Sequence, residues 1–168
     1  DSGKRLYSSV PLALTNAGIP LFTEDDYYAG TALSADFTGQ GWRDFLGFPE
    51  APVFDPETAG EKLAALAHNY DFSFFEYWAS DYAGHKQDMP WAVKQLETFD
   101  GVLKGLLTNW DMSNDLILLT SDHGNMEDLG TRKHTAAPVP LLLFGDKTKR
   151  DAFKDVSSLT EIAPAISR

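Results

Sequence analysis

Residues Leu116–Gly145 read LILLTSDHGNMEDLGTRKHTAAPVPLLLFG. An apolar run opens this stretch and a second one, Val139–Phe144, closes it, with metal-ligand residue types between them: Asp122, His123 and His134. Short apolar runs that lack polar alternation and are bounded by turn residues are typical of strands covered on both faces. Open α/β sheets bind their ligands at the carboxyl ends of such strands. The stretch therefore predicts a metal site at the edge of a buried sheet.

A second cluster of the same chemistry, Asp81–His85, follows the apolar run Phe72–Ala79. If Asp81 and His85 lie on one helical turn, their side chains project from the same face. A carboxylate oxygen and an imidazole nitrogen suit Zn²⁺ or Mn²⁺. The alternative is that Asp81 only caps a helix that begins near Ala83. We interpret the two clusters as one metal centre or two adjacent ones.

The remaining candidates also have simpler interpretations. Asp122 and His123 can bind one ion if the loop turns sharply at Gly124, but they are equally an N-capping carboxylate and a histidine bonded to backbone. His134 follows two cations that disfavour its protonated form, which makes a neutral, ligating imidazole plausible. A surface-loop histidine is the alternative. His68 has no carboxylate pattern around it and is interpreted as an ordinary helical residue.

Composition places the chain among ordinary soluble globular proteins. It has 168 residues, 43% hydrophobic and 23% charged, which suits a single domain. The net charge of −11 argues against a nucleic-acid or anionic-membrane partner. The sequence has no cysteine, which excludes thiolate–zinc sites, and no apolar run of about 20 residues that would span a membrane. Because Asp1–Val10 also lacks a signal-peptide pattern, we expect a cytoplasmic protein.

From Pro56 onward the sequence pattern alternates between helix and strand. The expected elements are a helix from Pro56, a strand Asp71–Ala79, an amphipathic helix Met89–Leu107, strands Asp115–Thr120 and Pro140–Phe144, and a helix Ser158–Ile166. Strand, helix and strand in this order imply right-handed βαβ crossovers and a mostly parallel sheet. Three strands are few for such a sheet, so we expect additional strands outside this chain.

The first 55 residues have a different character. The pattern predicts short helices over Ser8–Ala17 and Asp36–Leu46, a helix N-cap at Thr23, and a proline-containing connector over Gly47–Asp55. No clear strand is predicted there. We therefore divide the chain into a helical, unassigned segment, residues 1–55, which is a cap or a connector, and a metal-binding domain, residues 56–168.

Together these motifs resemble the alkaline phosphatase superfamily, and within it the branch of cofactor-independent phosphoglycerate mutases and phosphopentomutases. The resemblance covers about Asp71 to Arg168 and rests on three segments in matching order: Asp81–His85, Thr120–Glu127 and His134–Pro140. It implies a three-layer α/β/α fold with a mostly parallel sheet, of which this chain is incomplete on the N-terminal side.

The resemblance also implies a site for two divalent metal ions, Mn²⁺ or Zn²⁺. Asp81, His85 and His134 would hold one ion, while Asp122 and His123 would help to hold the other. In the family an aspartate from an early strand and a Ser or Thr nucleophile complete the second ion's site. Neither is found in this sequence, so the catalytic residue is unknown. We expect this chain to be the C-terminal part of a larger enzyme and to be inactive without the missing N-terminal part.

The implied function is phosphoryl transfer on a small phosphorylated substrate, by a phosphomutase (an isomerase) or a phosphatase (a hydrolase). A non-catalytic metal-binding domain of the same fold, or a sulfatase-like or phosphodiesterase-like hydrolase, is the alternative. Arg132 and Lys133, beside His134, are candidate phosphate contacts. A basic pair on the surface is the simpler interpretation of them.

Overall fold

A computed structural model describes residues 7–168. The expectations for residues 1–6, at the start of the helical segment and of the Asp1–Val10 stretch, lie outside these residues. The α-helices are α1 Ser9–Asn16, α2 Glu24–Ala29, α3 Gln40–Phe45, α4 Pro56–Ala67, α5 Ala79–Lys86, α6 Met89–Thr108, α7 Lys147–Asp151 and α8 Ile162–Ile166. The strands are β1 Leu116–Thr120 and β2 Leu141–Gly145. The chain is thus a mixed α/β protein, as predicted.

Helices α4 and α6 form the main packing unit, and both begin as their sequences predict. Asp55 accepts a hydrogen bond from the Thr58 amide at 3.1 Å, and Asp88 accepts one from the Trp91 amide at 3.0 Å. The two helices approach closely at Gly60, where a Cβ atom would overlap the main chain of α6. Small residues at the contact therefore set the distance between the helices.

Phe37 lies at the centre of the hydrophobic core, with 3% of its surface exposed. Its ring stacks on Phe75 at a centroid distance of 4.4 Å and also contacts Tyr77 and Phe99. Its φ angle of 63° is in the left-handed region, which is uncommon for a residue with a side chain. The Asp36 carboxylate holds this turn by accepting from two backbone amides beyond Phe37. The predicted helix Asp36–Leu46 therefore begins only at Gln40.

The predicted strand Asp71–Ala79 is not a paired strand in the structure. Residues 72–78 form no strand pair with any described residue, and Ala79 already belongs to α5. The alternation of a strand is nevertheless present, because Phe75 and Tyr77 face the core while Phe72 and Phe74 are more than half exposed. What this segment lacks is a neighbouring strand among the described residues with which its main chain could pair.

Tyr77 links this segment to α6, because its hydroxyl donates to Gln95 Oε1 at 2.7 Å. Burial, and secondly the negative charge of Asp36, raise the pKa of Tyr77 from 10.0 to about 12. The fold favours the neutral phenol, so its contribution to stability is complete below pH 10 and is lost as the pH rises toward 12.

This shift predicts the outcome of a spectroscopic titration. In the absorbance titration of tyrosinate, the Tyr77→Phe variant should lack the component near pH 12 that the unmodified chain shows. Tyr70→Phe, which removes an exposed tyrosine, is the control and should keep that component. If the component near pH 12 remains in Tyr77→Phe, it does not come from Tyr77, and this phenol is not buried as described.

The two strands pair antiparallel, with Leu116 opposite Gly145 and Thr120 opposite Leu141. This antiparallel pairing corrects the prediction that the two strands are neighbours in a mostly parallel sheet. Parallel neighbours need a crossover, which is usually a helix. The connection of residues 121–140 contains no helix and folds back through a single bridge between Gly124 and Thr135. The chain therefore reverses its direction before β2.

The helix predicted near the C-terminus lies at the expected position, but only its second half is α-helical. The predicted helix Ser158–Ile166 is a 3₁₀ turn, Leu159–Glu161, that continues into α8, and the Ser158 side chain caps the turn. Helix α7 was not predicted. Among the described helices, none has both the length and the apolar character needed to cross a membrane.

Candidate metal centre

Three side chains from different parts of the sequence meet at one point. One ligand atom from each of Asp81, His85 and His134 lies within 4.8 Å of the other two. Asp81 Oδ1 is 3.3 Å from the Nε2 atoms of both His85 and His134, which are 3.2 Å apart. One carboxylate oxygen and two imidazole nitrogens at these distances suit a divalent cation of the Zn²⁺ or Mn²⁺ type.

Helix α5 supplies two of these ligands. Asp81 and His85 are four residues apart, one above the other on the same face, as the sequence predicted. The N-cap of α5 is Trp78, and Asp81 lies inside the first turn rather than capping the helix. The capping interpretation of Asp81 therefore does not describe this structure, and its carboxylate is available for another role.

The main chain of the following loop orients His85. Its Nδ1 atom lies 2.6 Å from the carbonyl oxygen of Arg132. A carbonyl can only accept, so Nδ1 carries a proton, and the Nε2 atom, which is the one left to bind an ion, faces Asp81 and His134. A backbone acceptor that fixes the tautomer in this way is usual behind metal-ligating histidines. The donor set thus fits a divalent cation in its ring orientation as well as in its distances.

The other two predicted ligands lie beside this cluster. His123 Nε2 is 3.7 Å from Asp81 Oδ1, and the ring stacks on His134 with centroids 3.5 Å apart. Asp122 lies at the rim, with Oδ1 3.6 Å from His123 Nε2 and 86% of its side chain exposed. The structure therefore brings Asp81 and three histidines together and leaves Asp122 turned mostly to solvent.

Hydrogen bonds join the part of the connection that contains His123 to the part that contains His134. The Thr135 amide donates to the Gly124 carbonyl at 2.9 Å. The Glu127 carboxylate accepts a hydrogen bond from the Thr135 hydroxyl and, at 2.7 Å, one from the backbone N–H of Asn125. The hydrogen bond from Thr135 is the main cause that lowers the pKa of Glu127. Glu127 ends the motif Thr120–Glu127 but has no predicted role. In the structure it links the backbone at Asn125 to the side chain of Thr135.

Asn125 is a second residue that the sequence analysis left without a role. It is 5% exposed, and its Nδ2 atom donates to Asp81 Oδ1 at 2.6 Å. The only signal in the sequence was its place directly after Asp122–Gly124. Asparagine at that position also suits an ordinary turn, so the pattern alone could not assign it to the site.

The basic residues and His68 lie apart from the donor atoms. The Arg132 Nε atom donates to Gln87 Oε1 at 3.0 Å, so the residue contacts the site only through its carbonyl. Lys133 is exposed. His68 was predicted to lie within a helix, but α4 ends at Ala67 and His68 is its C-cap, which stacks on Trp110 at 4.9 Å and lies 3.7 Å from Asp115, outside the cluster.

An open cleft of about 450 Å³ borders the cluster on the side of Asp122 and His123. Residues 156–159, which lead into the 3₁₀ turn that starts at Leu159, also line this cleft. A ligand in this cleft would contact the exposed carboxylate of Asp122 and one edge of the His123 ring. The cleft therefore gives small molecules access to one side of the candidate site.

The fold and the donor set define an α/β protein with a site suited to a divalent cation. The sequence model of the metalloenzyme superfamily matches residues 54–168, and the chain belongs to this superfamily. This result confirms the family relationship that the motifs predicted.

The chain is similar to 2,3-bisphosphoglycerate-independent phosphoglycerate mutases from Antithamnion sp. (26% identity, 83% of this chain, 30% of the relative), Desulforudis audaxviator (31%, 70% and 25%) and Yersinia pestis (28%, 83% and 29%). It thus spans at most 30% of the length of these relatives. No solved structure is significantly similar to the chain.

Proposed function

We propose that this chain is the metal-binding C-terminal portion of a two-metal phosphoryl-transfer enzyme that acts on a small phosphate ester. A phosphomutase is the preferred activity, because the relatives are phosphoglycerate mutases. The observation that carries the proposal is the convergence of Asp81, His85 and His134 on one point. Residues separated by about 50 positions would not place their donor atoms together by helix periodicity alone.

In this proposal, Asp81, His85 and His134 hold one divalent ion. His123 and Asp122 contribute to the second, and their contact at 3.6 Å is compatible with sharing it. Bound Mn²⁺ or Zn²⁺ would neutralise charge on the transferring phosphoryl group and lower the pKa of a coordinated hydroxyl. The exposed carboxylate of Asp122 leaves the second position open to further ligands.

The chain's own residues supply binding and orientation. The Arg132 carbonyl holds the His85 ring with its Nε2 lone pair toward the ion position. His134 is held through the Thr135 bridge and by stacking on His123. Arg132 remains a proposed phosphate contact, but its guanidinium would first have to leave Gln87. That bond favours the interpretation of Arg132 as a surface cation.

The nucleophile and the further aspartate of the second site would come from a longer protein. This part of the proposal is supported by the relatives, of which the chain spans at most 30%. The same longer protein would supply strands for a three-layer, mostly parallel sheet, with the extended segment 72–78 as one of its strands. Its substrate would be a small phosphorylated molecule, and we propose a cytoplasmic location.

The proposal predicts metal binding without turnover in the 168-residue chain. Isothermal titration with Mn²⁺ or Zn²⁺ should show one dominant site per chain, because Asp81, His85 and His134 form a nearly complete donor set. An aryl phosphate should not be hydrolysed at any metal concentration, since none of the described residues beside the cluster is an activated nucleophile.

Two outcomes would contradict the proposal in different ways. The absence of metal binding at millimolar concentration would remove its basis. Metal-dependent hydrolysis that His85→Ala abolishes and His68→Ala preserves would show that this chain contains a nucleophile. Binding of metal and sulfate-ester hydrolysis would instead favour the sulfatase-like alternative on the same scaffold.

A further inference from the structure

Asn125 fills the space between the metal-site loop and helix α5. Its Nδ2 atom donates to Asp81 Oδ1 at 2.6 Å and to the Asp81 carbonyl oxygen at 3.3 Å. Both partners can only accept hydrogen bonds. The amide group of Asn125 must therefore face Asp81 with its nitrogen, and a flipped side chain would set oxygen against oxygen. The orientation of this side chain is fixed by chemistry.

The oxygen of the Asn125 side-chain amide lies in an unfavourable environment. Its Oδ1 atom is buried and has no hydrogen-bond partner among the described residues. A buried acceptor without a partner is unfavourable, because it loses its hydrogen bonds to water and gains none in return. A residue that served only to fill space would avoid this penalty as leucine. The amide is therefore retained for the hydrogen bond that it donates to Asp81.

Gly84 makes this hydrogen bond sterically feasible. The Asn125 Oδ1 atom packs against the Gly84 backbone so closely that a Cβ atom there would overlap the amide group. Gly84 lies in α5 between the two ligands Asp81 and His85. A glycine inside a helix is less favourable than an alanine, so its presence calls for a packing reason. Room for Asn125 is such a reason.

Asp81 Oδ1 is also the atom that faces the histidines. It lies 3.3 Å from His85 Nε2 and from His134 Nε2. A carboxylate oxygen has two lone pairs, so the Asn125 amide can use one while the other points to the ion position. We propose that Asn125 is a positioning residue, which holds Asp81 in its ligating rotamer from outside the ligand set. This inference rests on the proposed metal-binding function of Asp81.

The test is the affinity of the full 168-residue chain for Mn²⁺, and for Co²⁺ as a spectroscopic probe. Asn125→Leu keeps the side-chain volume and removes the donor. We expect it to weaken metal binding about 10- to 100-fold, the range for residues that orient ligands, and to change the visible spectrum of bound Co²⁺. Asn114→Leu is the matched control, because it removes an Asn–Asp hydrogen bond at Asp111, outside the ligand cluster, and should leave both unchanged.

A double-mutant cycle separates positioning from a general effect on folding. In the Asp81→Ala background, Asn125→Leu should cause no further loss of affinity, because the group that it positions is gone. An equal loss in both backgrounds would overturn the inference. Gly84→Ala, which displaces the amide from its other side, should reproduce the weakening and serves as the second variant if Asn125→Leu does not fold.

The outcome for the unmodified chain distinguishes the two proposals. If it binds no metal, the proposed function fails. If it binds metal and both Asn125→Leu and Gly84→Ala bind it equally well, only the positioning role of Asn125 is refuted.

Discussion

Replacing Asp81 with alanine is expected to weaken the binding of Mn²⁺ or Zn²⁺ by more than about 100-fold, which exceeds the usual effect of residues that only orient ligands. Among the described residues, Asp81 is the one carboxylate within contact distance of three imidazoles, and its Oδ1 atom is the point toward which they converge. Without it, only neutral donors remain at the dominant site. Equilibrium dialysis with metal analysis measures the change directly.

Asp122 provides the matched control for this prediction. It is also an aspartate beside His123, but its side chain points mostly to solvent and lies outside the group of closest donor atoms. Asp122→Ala should therefore reduce affinity much less than Asp81→Ala. A larger loss in Asp122→Ala would place the tighter ion at the rim of the cluster and would contradict the assignment of Asp81 as its central ligand.

The second large effect concerns stability. Phe37→Ala is expected to lower the free energy of unfolding by about 3–5 kcal/mol, the usual cost of removing a buried phenylalanine. The ring contacts Phe75, Tyr77 and Phe99, so its loss leaves a cavity lined by large aromatic side chains that cannot easily collapse. Urea unfolding followed by tryptophan fluorescence gives the free energy.

Phe45→Ala is the control for Phe37→Ala. Phe45 is 82% exposed, and its removal should change the free energy of unfolding by no more than about 0.5 kcal/mol. Similar losses in the two variants would show that the N-terminal segment does not pack on residues 75–99 as described. Because Phe37 comes from the segment before residue 56, this pair of variants also tests whether that segment and the domain that follows share one core.

Several features could be predicted because they depend on local chemistry. Asp55 lies directly before Pro56 and Asp88 two residues before Pro90, and each accepts from a backbone amide, so the starts of α4 and α6 follow from capping rules. The i,i+4 spacing of Asp81 and His85 likewise requires only that α5 is a helix. The grouping of these two residues with His134 was implied by the resemblance to the family.

The strand pairing could not be obtained in the same way. The apolar run at residues 141–144 identifies a strand, but its direction depends on how residues 121–140 return. With no helix in that connection, a parallel crossover was not required, and the strands pair antiparallel. For Phe72–Ala79, the apolar run predicted the extended backbone but could not supply a neighbouring strand.

The roles of Phe37 and Asn125 depend on contacts distant in sequence. No periodic pattern marks Phe37, which lies in a left-handed turn rather than in a helix or strand. Asn125 contacts Asp81 across 44 positions. A hydrogen bond of this kind becomes visible only when the loop after β1 has been placed against α5.

The most direct test of the metal centre is anomalous X-ray diffraction from crystals of the chain soaked in Mn²⁺ or Zn²⁺. The proposed site predicts a strong anomalous peak in bonding contact, about 2.0–2.2 Å, with Asp81 Oδ1 and the Nε2 atoms of His85 and His134. A weaker peak beside Asp122 and His123 would mark the second position. A peak bound elsewhere, with the three ligands left as they are in the metal-free chain, would contradict the proposed metal centre.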